Sequence, residues 1–337
     1  MSDKKIKISK EFQAGSLPAL VECGDLRLIA VNADGTMPWK AYKDEIKSAA
    51  QDLLQEHGGV LFRGFAGDQS DSRFCNEFAK MFADELLTYE FASTPRTDLG
   101  DGVYTATEYP SHQIIPLHNE QSYTLQWPLN IWFHCVTAPK EGGETPIADS
   151  RKIYNAMPVE IRQRFESKKL LYVRNYGNGL DLSWEQVFNT DSKGQVEEYC
   201  RKNNINFKWK EDGELRTWQR CQATAQHHTT KEWVWFNQAH LFHVSNIDEA
   251  TRDVLLDVVE YEDLPRNVYY GDGSKVEESI LDEVRGVLDD HTVKFPWQKG
   301  DFLMLDNMLA AHGRSTFSGE RKVVVAMANG YNSTQSN

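Results

Sequence analysis

Apolar residues recur at helical spacing in parts of this chain and at strand spacing in others. Between Trp39 and His57 an apolar side chain returns every three or four residues, and Gly58-Gly59 follows as a helix stop. The run 60–65, Val-Leu-Phe-Arg-Gly-Phe, is typical of a short buried strand. Helical spacing returns over 70–87, so the N-terminal part predicts a helix, a strand and a second helix.

Strand-like runs occupy the middle and the end of the chain, with helical segments between them. The predicted strands are 114–117, 130–136, 231–237, 301–305 and 321–328, with a turn at 139–143. The predicted helices that follow the turn are 150–157, 159–168, 183–189, 247–261 and 276–288. Strands and helices do not alternate regularly, which disfavours a parallel, doubly wound sheet.

This order of elements predicts a mainly β fold with α insertions, built around a closed β core. We expect one domain over residues 16–331, carrying a mixed helix and loop insertion at about 150–290. The polar ends, 1–15 and 332–337, are expected to be frayed.

Composition limits the classes of function. The 337 residues are 40% hydrophobic and carry a net charge of −13, which disfavours nucleic acid and anionic membranes as partners. No apolar run is long enough to span a bilayer, and no signal peptide is apparent. Five scattered cysteines fit reduced thiols, so we expect a cytoplasmic protein.

The sharpest chemical feature is the pair His118 and Glu120 in Pro-Leu-His-Asn-Glu. Side chains two apart on a strand share a face, so both could reach one metal ion. The spacing is nonspecific by itself, because a surface ion pair has the same pattern. His312, which follows the predicted strand 301–305, is the best candidate for the second imidazole of a 2-His-1-carboxylate site, the ligand set of non-haem iron(II) oxygenases.

At these residues the chain resembles the TauD/TfdA family of iron(II)/2-oxoglutarate dioxygenases, and especially the branch of the syringomycin-type aspartyl hydroxylase. The resemblance runs from about residue 58 to 327, and its landmarks occur in order. They are the segments 59–65, 118–120, 142–146, 234–240, 306–307 and 312–314, followed by Arg321. It implies a double-stranded β-helix (jelly roll) core. Most members carry Asp where this chain has Glu120, whereas the branch resembled here also uses Glu.

The resemblance assigns roles to single residues. His118, Glu120 and His312 fall on the positions of the metal ligands. Arg321 falls on the arginine that pairs with the distal carboxylate of 2-oxoglutarate, and Thr145 on a threonine that binds the same carboxylate. Arg314 is close enough in sequence to compete with Arg321 for that role. The implied cofactors are Fe(II), 2-oxoglutarate as cosubstrate, and O2.

The implied reaction is oxidation, most simply hydroxylation, of an unactivated C–H bond, with release of succinate and CO2. Desaturation, epoxidation and cyclisation use the same ligands and stay open, as does a sulfonate or aryloxy acid as substrate. A halogenase would need a small residue in place of Glu120, and the H-E-x-x-H helix of zinc hydrolases is absent. A binding protein that had kept only the barrel would be expected to lose a ligand.

The branch implies an amino acid or an amino-acid-derived substrate, free or presented on a carrier protein, in natural-product (antibiotic) biosynthesis. Polar residues near the landmarks are the candidate substrate contacts: Gln113, Arg174, Asn175, Asn237, Gln238 and His240. The oligomeric state has no signal in the sequence.

Overall fold

The structure is a computed structural model that describes residues 7–8, 19–23, 26–32, 40, 43–63, 72–89, 91, 94–177 and 179–334. Several predicted positions lie outside the described residues: most of 1–15, the start of the first helix at Trp39, the end of the first strand at Gly64 and Phe65, and the terminal residues 335–337.

The strands of the described residues are given in chain order. They are β1 (Lys7–Ile8), β2 (Ala19–Cys23), β3 (Leu26–Asn32), β4 (Gly59–Arg63), β5 (Val103–Thr105), β6 (Ile115–His118), β7 (Gln126–Thr137), β8 (Glu141–Gly142), β9 (Ile147–Asp149), β10 (Leu170–Tyr176), β11 (Asn206–Trp209), β12 (Leu215–Cys221), β13 (Thr224–Gln226), β14 (Trp233–Trp235), β15 (Arg266–Tyr270), β16 (Phe302–Asp306), β17 (Ala310–Arg314), β18 (Phe317–Ser318) and β19 (Lys322–Asn332).

The α-helices of the same residues follow in the same order. They are α1 (Lys43–His57), α2 (Ser72–Ala79), α3 (Ser150–Ala156), α4 (Val159–Lys168), α5 (Trp184–Phe188), α6 (Lys193–Lys202), α7 (Ala239–Phe242), α8 (Glu249–Val258) and α9 (Glu278–Asp290).

The largest sheet has the strand order β1-β2-β3-β4-β16-β7-β19-β5. Its pairs are antiparallel except β3–β4, which is parallel. Along β4, Leu61 packs into one hydrophobic cluster while Val60 and Phe62 pack into another. Because neighbouring side chains of a strand point to opposite faces, both faces of this sheet are buried.

Each face of the large sheet has a different cover. Helices α1 and α2 pack on the outer face, through Ala50 and Phe78 among others. The inner face packs against the short sheet β6-β17-β9, with Ile147 and Ala310 in the shared core. Two antiparallel sheets facing each other across one core form the jelly roll, so the expected mainly β fold is confirmed.

The region between the β9 strand and the β16 strand contains more sheet than its sequence predicts. Four antiparallel strands, in the order β11-β12-β10-β15, form a sheet of their own beside helices α3 to α9. The predicted helices, loops and single strand 231–237 therefore miss this sheet. In β10 all but one of the seven residues are buried, so no alternation of apolar and polar residues marks it as a strand.

Two further elements depart from their predicted bounds. The helix predicted over 70–87 ends at Ala79, because Leu86 and Leu87 bridge the β19 strand instead. At the other end β19 continues to Asn332, and Ser333 donates its backbone N–H to the Leu125 carbonyl. Residues 332 and 333 are thus held by hydrogen bonds where their polar character predicts fraying.

The described part of the chain bears on two expectations, one about membrane-spanning segments and one about the cysteines. None of its helices combines the length and the apolar character needed to cross a bilayer. Cys75, Cys135, Cys200 and Cys221 are buried and free of disulfides, as their scattered positions predict.

Candidate metal centre and its two cavities

Strand register brings the two candidate imidazoles together. His118 ends β6 and His312 lies in β17, and the two residues are direct partners across this antiparallel pair. Their ring centroids are 4.5 Å apart. With Glu120 they form a cluster in which one ligand atom from each side chain lies within 4.8 Å of the others. The neighbouring residues His118 and Glu120 are therefore joined by the distant His312 in an arrangement that suits a single ion.

Glu120 reaches this cluster differently from the way its spacing predicts. The β6 strand ends at His118, so strand alternation does not position Glu120. Instead the Glu120 backbone N–H donates to Asn307 Oδ1 at 2.7 Å, and Asn307 Nδ2 donates to the Glu120 carbonyl at 2.9 Å. Asn307 is fully buried and acts as a bracket for the backbone at Glu120. Apart from its position next to Asp306, nothing in the sequence around Asn307 predicts this role.

The turn from β16 to β17, which leads to His312, is organised by Asp306. Asp306 Oδ1 accepts the backbone N–H groups of Met308 and Leu309 at 2.9 and 3.1 Å. Its Oδ2 lies 3.0 Å from Nε2 of His227, a residue whose polar surroundings in the sequence predict a loop but which is fully buried. The segment that presents His312 is thus tied to a distant part of the chain.

The surroundings of His118 and His312 favour neutral imidazoles, the form that metal binding requires. His118 Nδ1 lies 2.9 Å from the Pro116 carbonyl, which favours hydrogen on Nδ1 and leaves Nε2 as a lone-pair donor. Burial lowers the pKa of His118, and burial together with His118 and Arg96 holds the pKa of His312 well below its usual value. His312 Nδ1 has no hydrogen-bond partner among the described residues. Two neutral imidazoles and one carboxylate, of which Glu120 and His312 are buried and His118 is half-buried, fit a divalent ion such as Fe(II).

Arg96 contacts the candidate ligand Glu120, although no motif in the sequence singles it out. Its Nη2 donates to Glu120 Oε2 at 2.5 Å, and its guanidinium carbon lies 4.4 Å above the Tyr89 ring. Burial opposes the charged form of Arg96, but Glu120 and the nearby tyrosines outweigh it and raise its pKa. Arg96 is therefore a permanent cation beside the candidate ligands.

A small cavity of about 30 Å³ opens on one side of His312. Thr145, Arg314 and Arg321 are among its lining residues. Trp297 Nε1 donates to Thr145 Oγ1 at 3.2 Å, so the hydroxyl hydrogen of Thr145 is available to another acceptor. This cavity therefore combines a hydroxyl donor with guanidinium groups, the chemistry that recognises a carboxylate.

The two arginines of the small cavity differ in what they bind. Arg314 donates from Nη1 to the Tyr109 carbonyl at 2.8 Å and from Nη2 to the Pro110 carbonyl at 2.7 Å. Arg321 donates from Nε to the Gly143 carbonyl at 2.9 Å, and no hydrogen bond from its terminal nitrogens to the described residues is seen. The terminal nitrogens of Arg314 hold backbone carbonyls, although its Nε finds no partner among the described residues, whereas the terminal nitrogens of Arg321 are available to a ligand.

Gly143 allows this approach of Arg321. Its φ is +67°, and a Cβ there would lie 3.0 Å from the Arg321 Cδ and 2.7 Å from the Pro139 Cγ. Any larger residue would therefore displace the arginine stem. Burial and the neighbouring Arg314 lower the pKa of Arg321 to about 10, so its guanidinium remains charged at neutral pH.

A second, larger cavity of about 430 Å³ is lined by His118 and Glu120 of the cluster. Its wall is partly apolar, with Leu241 and Phe242 among its members. Gln238 also lines it, together with the ion pair between Asp181 and Arg266. The two cavities share Arg96 and His118 among other lining residues, so they adjoin at the candidate metal site.

Most of the predicted substrate contacts do not line this cavity. Only Gln238 does; its Nε2 also donates to the Asn119 carbonyl at 2.8 Å. Asn175 and Asn237 donate from Nδ2 to backbone carbonyls and His240 Nε2 lies 2.8 Å from the Leu117 carbonyl, so they brace the walls from behind. Gln113 is exposed, and Arg174 is buried between the Phe91 and Tyr176 rings.

Comparison with known proteins identifies the family of this chain. The taurine catabolism dioxygenase TauD, TfdA family matches residues 27–327. The chain is 41% identical over 276 residues to the dapdiamide synthesis protein DdaC of Enterobacter agglomerans, covering 82% of this chain and 83% of that protein. It is 32% identical over 285 residues to a clavaminate synthase-like protein of Arabidopsis thaliana, covering 82% of each.

Solved structures resemble the fold at low sequence identity. PvcB from Pseudomonas aeruginosa superposes with a TM-score of 0.53 at 14% identity, covering 97% of this chain and 92% of that one. AAD-2, solved in complex with Mn(II) and N-oxalylglycine, gives a TM-score of 0.53 at 14% identity, covering 94% and 98%. The shared feature at this level of identity is the fold.

Proposed function

The chain belongs to the TauD/TfdA family of 2-oxoglutarate-dependent iron dioxygenases, and from this premise we propose that it hydroxylates an amino acid or an amino-acid-derived small molecule. When bound, iron(II), 2-oxoglutarate and O2 supply the oxidation of an unactivated C–H bond, with release of succinate and CO2. The observation that carries the proposal is a cluster of two imidazoles and one carboxylate, two of the three buried, where two cavities adjoin.

The metal ligands in this proposal are His118, Glu120 and His312. All three are held from behind: by the Pro116 carbonyl, by Asn307 and by the β17 pairing respectively. Such support fixes the ligand directions before the ion arrives, which raises metal affinity. Three ligands also leave coordination positions for the cosubstrate and O2.

Arg321 and Thr145 are the proposed anchors of the cosubstrate. A guanidinium and a hydroxyl donor at one end of a narrow cavity suit the distal carboxylate of 2-oxoglutarate. Arg314 supports this end indirectly, because its donors hold the loop that carries Tyr109 and Pro110.

The large cavity is the proposed substrate site. Its apolar wall at Leu241 and Phe242 excludes water from the reacting C–H bond, while Gln238 and the Asp181–Arg266 pair offer polar contacts. A pair of opposite charges on one wall suits a molecule that carries both an ammonium and a carboxylate group.

The similarity to the dapdiamide synthesis protein DdaC supports a role in natural-product biosynthesis. Desaturation, epoxidation and cyclisation share the same ligands and are distinguished by the product. A gain of one oxygen atom marks hydroxylation or epoxidation, and a loss of two hydrogens marks desaturation or ring closure.

The proposal is tested by loading the enzyme anaerobically with Fe(II) and 2-oxoglutarate and adding amino acids and their conjugates. A substrate that binds near the metal is expected to shift the metal-to-ligand charge-transfer band and to trigger succinate release in air. The His312→Ala variant is the matched blank, since it should show neither the band nor succinate.

The substrate class is wrong if only sulfonates or aryloxyacetates shift the band and release succinate. A failure of the wild-type protein to form the band at all would contradict the assigned ligands instead. The two failures are therefore separable in one experiment.

A further inference from the structure

Arg96 has more hydrogen-bond donors than partners. The side chain is 4% exposed, and its Nη2 is occupied by Glu120 Oε2. Nε and Nη1 are buried and find no hydrogen-bond partner among the described residues. An unsatisfied buried donor of a charged group is costly, so its persistence points to a ligand that completes it.

The position of Arg96 limits what that ligand is. Arg96 lines both cavities and contacts the candidate ligand Glu120, so it lies where substrate, cosubstrate and metal meet. Its neighbours in the large cavity include Thr94 and Thr107, whose hydroxyls are neutral and 3.3 Å apart. The second carboxylate of that lining, Asp181, is already paired with Arg266.

Charge balance favours an anion. The whole chain has a net charge of −13, yet the described residues that line the two cavities include more arginines than carboxylates. These residues are Arg96, Arg266, Arg314, Arg321, Glu120 and Asp181. A divalent ion and the dianionic cosubstrate cancel each other, so the lining stays positive when both are bound. A buried positive excess is best neutralised by an anionic partner.

We propose that Arg96 binds a carboxylate group of the substrate at the inner end of the large cavity. This inference rests on the proposed function and narrows it, because it requires a substrate with a free carboxylate. An amino acid joined to a carrier protein through its α-carboxyl is a thioester and lacks that group. Arg96 therefore favours a free acid, or a conjugate that keeps a second carboxylate.

The inner carboxylate of 2-oxoglutarate is the other source of the same chemistry. The two sources predict different variant behaviour, because cosubstrate and substrate affinities can be measured separately. Arg96→Gln removes the charge, and Arg96→Lys keeps it as a point charge without the planar two-pronged donor geometry of a guanidinium. Arg162→Gln is the matched control, since Arg162 also lies over an aromatic ring, Tyr154, but lines neither cavity.

The experiment uses the full chain loaded anaerobically with Fe(II) and 2-oxoglutarate. The probes are L-asparagine, L-lysine and L-leucine, each as the free acid and as the primary amide, together with acetate and acetamide. The shift of the charge-transfer band against probe concentration gives the affinity of each compound. In the wild-type enzyme at least one acid is expected to bind about 10- to 100-fold more tightly than its amide.

Arg96→Gln is expected to reduce this preference to about threefold or less while changing the 2-oxoglutarate affinity by less than about threefold. Arg96→Lys should keep part of the preference, and Arg162→Gln all of it. If Arg96→Gln does not fold, Arg96→Lys is measured instead. A partly retained preference for the acid over its amide then supports the inference, and an unchanged preference contradicts it.

Three results would overturn the inference. One is a wild-type enzyme that fails to prefer any acid over its amide, including the case in which no probe shifts the band. Another is an unchanged preference in Arg96→Gln or, if that variant does not fold, in Arg96→Lys. The third is a loss of 2-oxoglutarate affinity of about tenfold with the preference intact, which would assign Arg96 to the cosubstrate. A protein that never forms the band would instead contradict the proposed function.

Discussion

The two cavities beside the metal cluster are built in different ways. Arg314 and the candidate ligand His312 reach the small cavity from β17, and Arg321 directly precedes β19, so paired strands hold or flank all three. The large cavity is closed by residues between 238 and 266, which belong to short helices and their connections. One site is framed by the jelly roll and the other by the insertion.

The packing of the two regions differs as well. No residue of α8, which contributes Thr251 and Leu255 to the large cavity, is buried, and Val258 is 70% exposed. His312 is 3% exposed, and its whole strand is buried. Sparse packing permits local opening, whereas a packed strand keeps its geometry. A cosubstrate that all members of the family share requires fixed contacts. A substrate that differs between members requires a cavity wall that can vary in sequence and open.

The largest effect on turnover is expected from substitutions in the metal cluster, and smaller effects from substitutions in either cavity. We expect His118→Ala, Glu120→Gln and His312→Ala each to lower turnover by about a thousandfold or more, because each removes one of three ligands. Succinate formation measures turnover, and anaerobic iron stoichiometry measures metal binding. His112→Ala is the control, because His112 is exposed. Near wild-type turnover in any of the three variants would remove that residue from the ligand set.

Arg321 and Arg314 divide the small cavity into a binding and a supporting part. Arg321→Met should weaken 2-oxoglutarate binding by about 30- to 150-fold, since charged hydrogen bonds worth about 2–3 kcal/mol are lost. Arg314→Met should chiefly lower thermal stability, because the carbonyls of the 109–113 loop lose their donor. Titration of the charge-transfer band with 2-oxoglutarate gives the affinities. A larger affinity loss in Arg314→Met would reverse the assignment.

The Asp181–Arg266 pair tests whether the large cavity is independent of the small one. Asp181→Asn leaves a partly buried guanidinium without its carboxylate, so we expect the free energy of unfolding to fall by about 1–3 kcal/mol. The affinity for 2-oxoglutarate should change less than about twofold. Denaturant unfolding and cosubstrate titration measure the two quantities.

A double variant sharpens this test. Asp181→Asn combined with Arg266→Gln removes both charges, so part of the lost stability should return. A tenfold change in 2-oxoglutarate affinity in either variant, on the order of 1.4 kcal/mol, would show that the two cavities are coupled.

Thr145→Val should have the smallest effect on the cosubstrate. It removes one neutral hydroxyl donor and leaves Trp297 Nε1 without its acceptor, so we expect 2-oxoglutarate affinity to fall about three- to tenfold. Thr145→Ser keeps the hydroxyl and serves as the control. If the valine variant loses as much affinity as Arg321→Met, the hydroxyl and not the guanidinium dominates.

The fold class, the family and the cofactor chemistry were predictable because their signals are local or ordered along the chain. Strand runs such as 130–136 show their apolar character directly, and the motifs around His118 and His312 occur in a fixed order. The predicted fold class and the iron and 2-oxoglutarate chemistry are confirmed by the family and its relatives. The individual ligand and substrate residues stay predictions.

Sequence patterns identify the kinds of side chain available and the elements that carry them. Strand register and packing bring particular side chains together. Asn307 holds the Glu120 backbone across 187 residues, and Arg96 reaches the same carboxylate without any motif. The packing also distinguishes the hydrogen bonds of Arg321 from those of Arg314, two residues that are close together in the sequence. Spacing along a chain encodes the face of one strand or helix, whereas contacts between distant segments depend on register and packing, which no single segment contains.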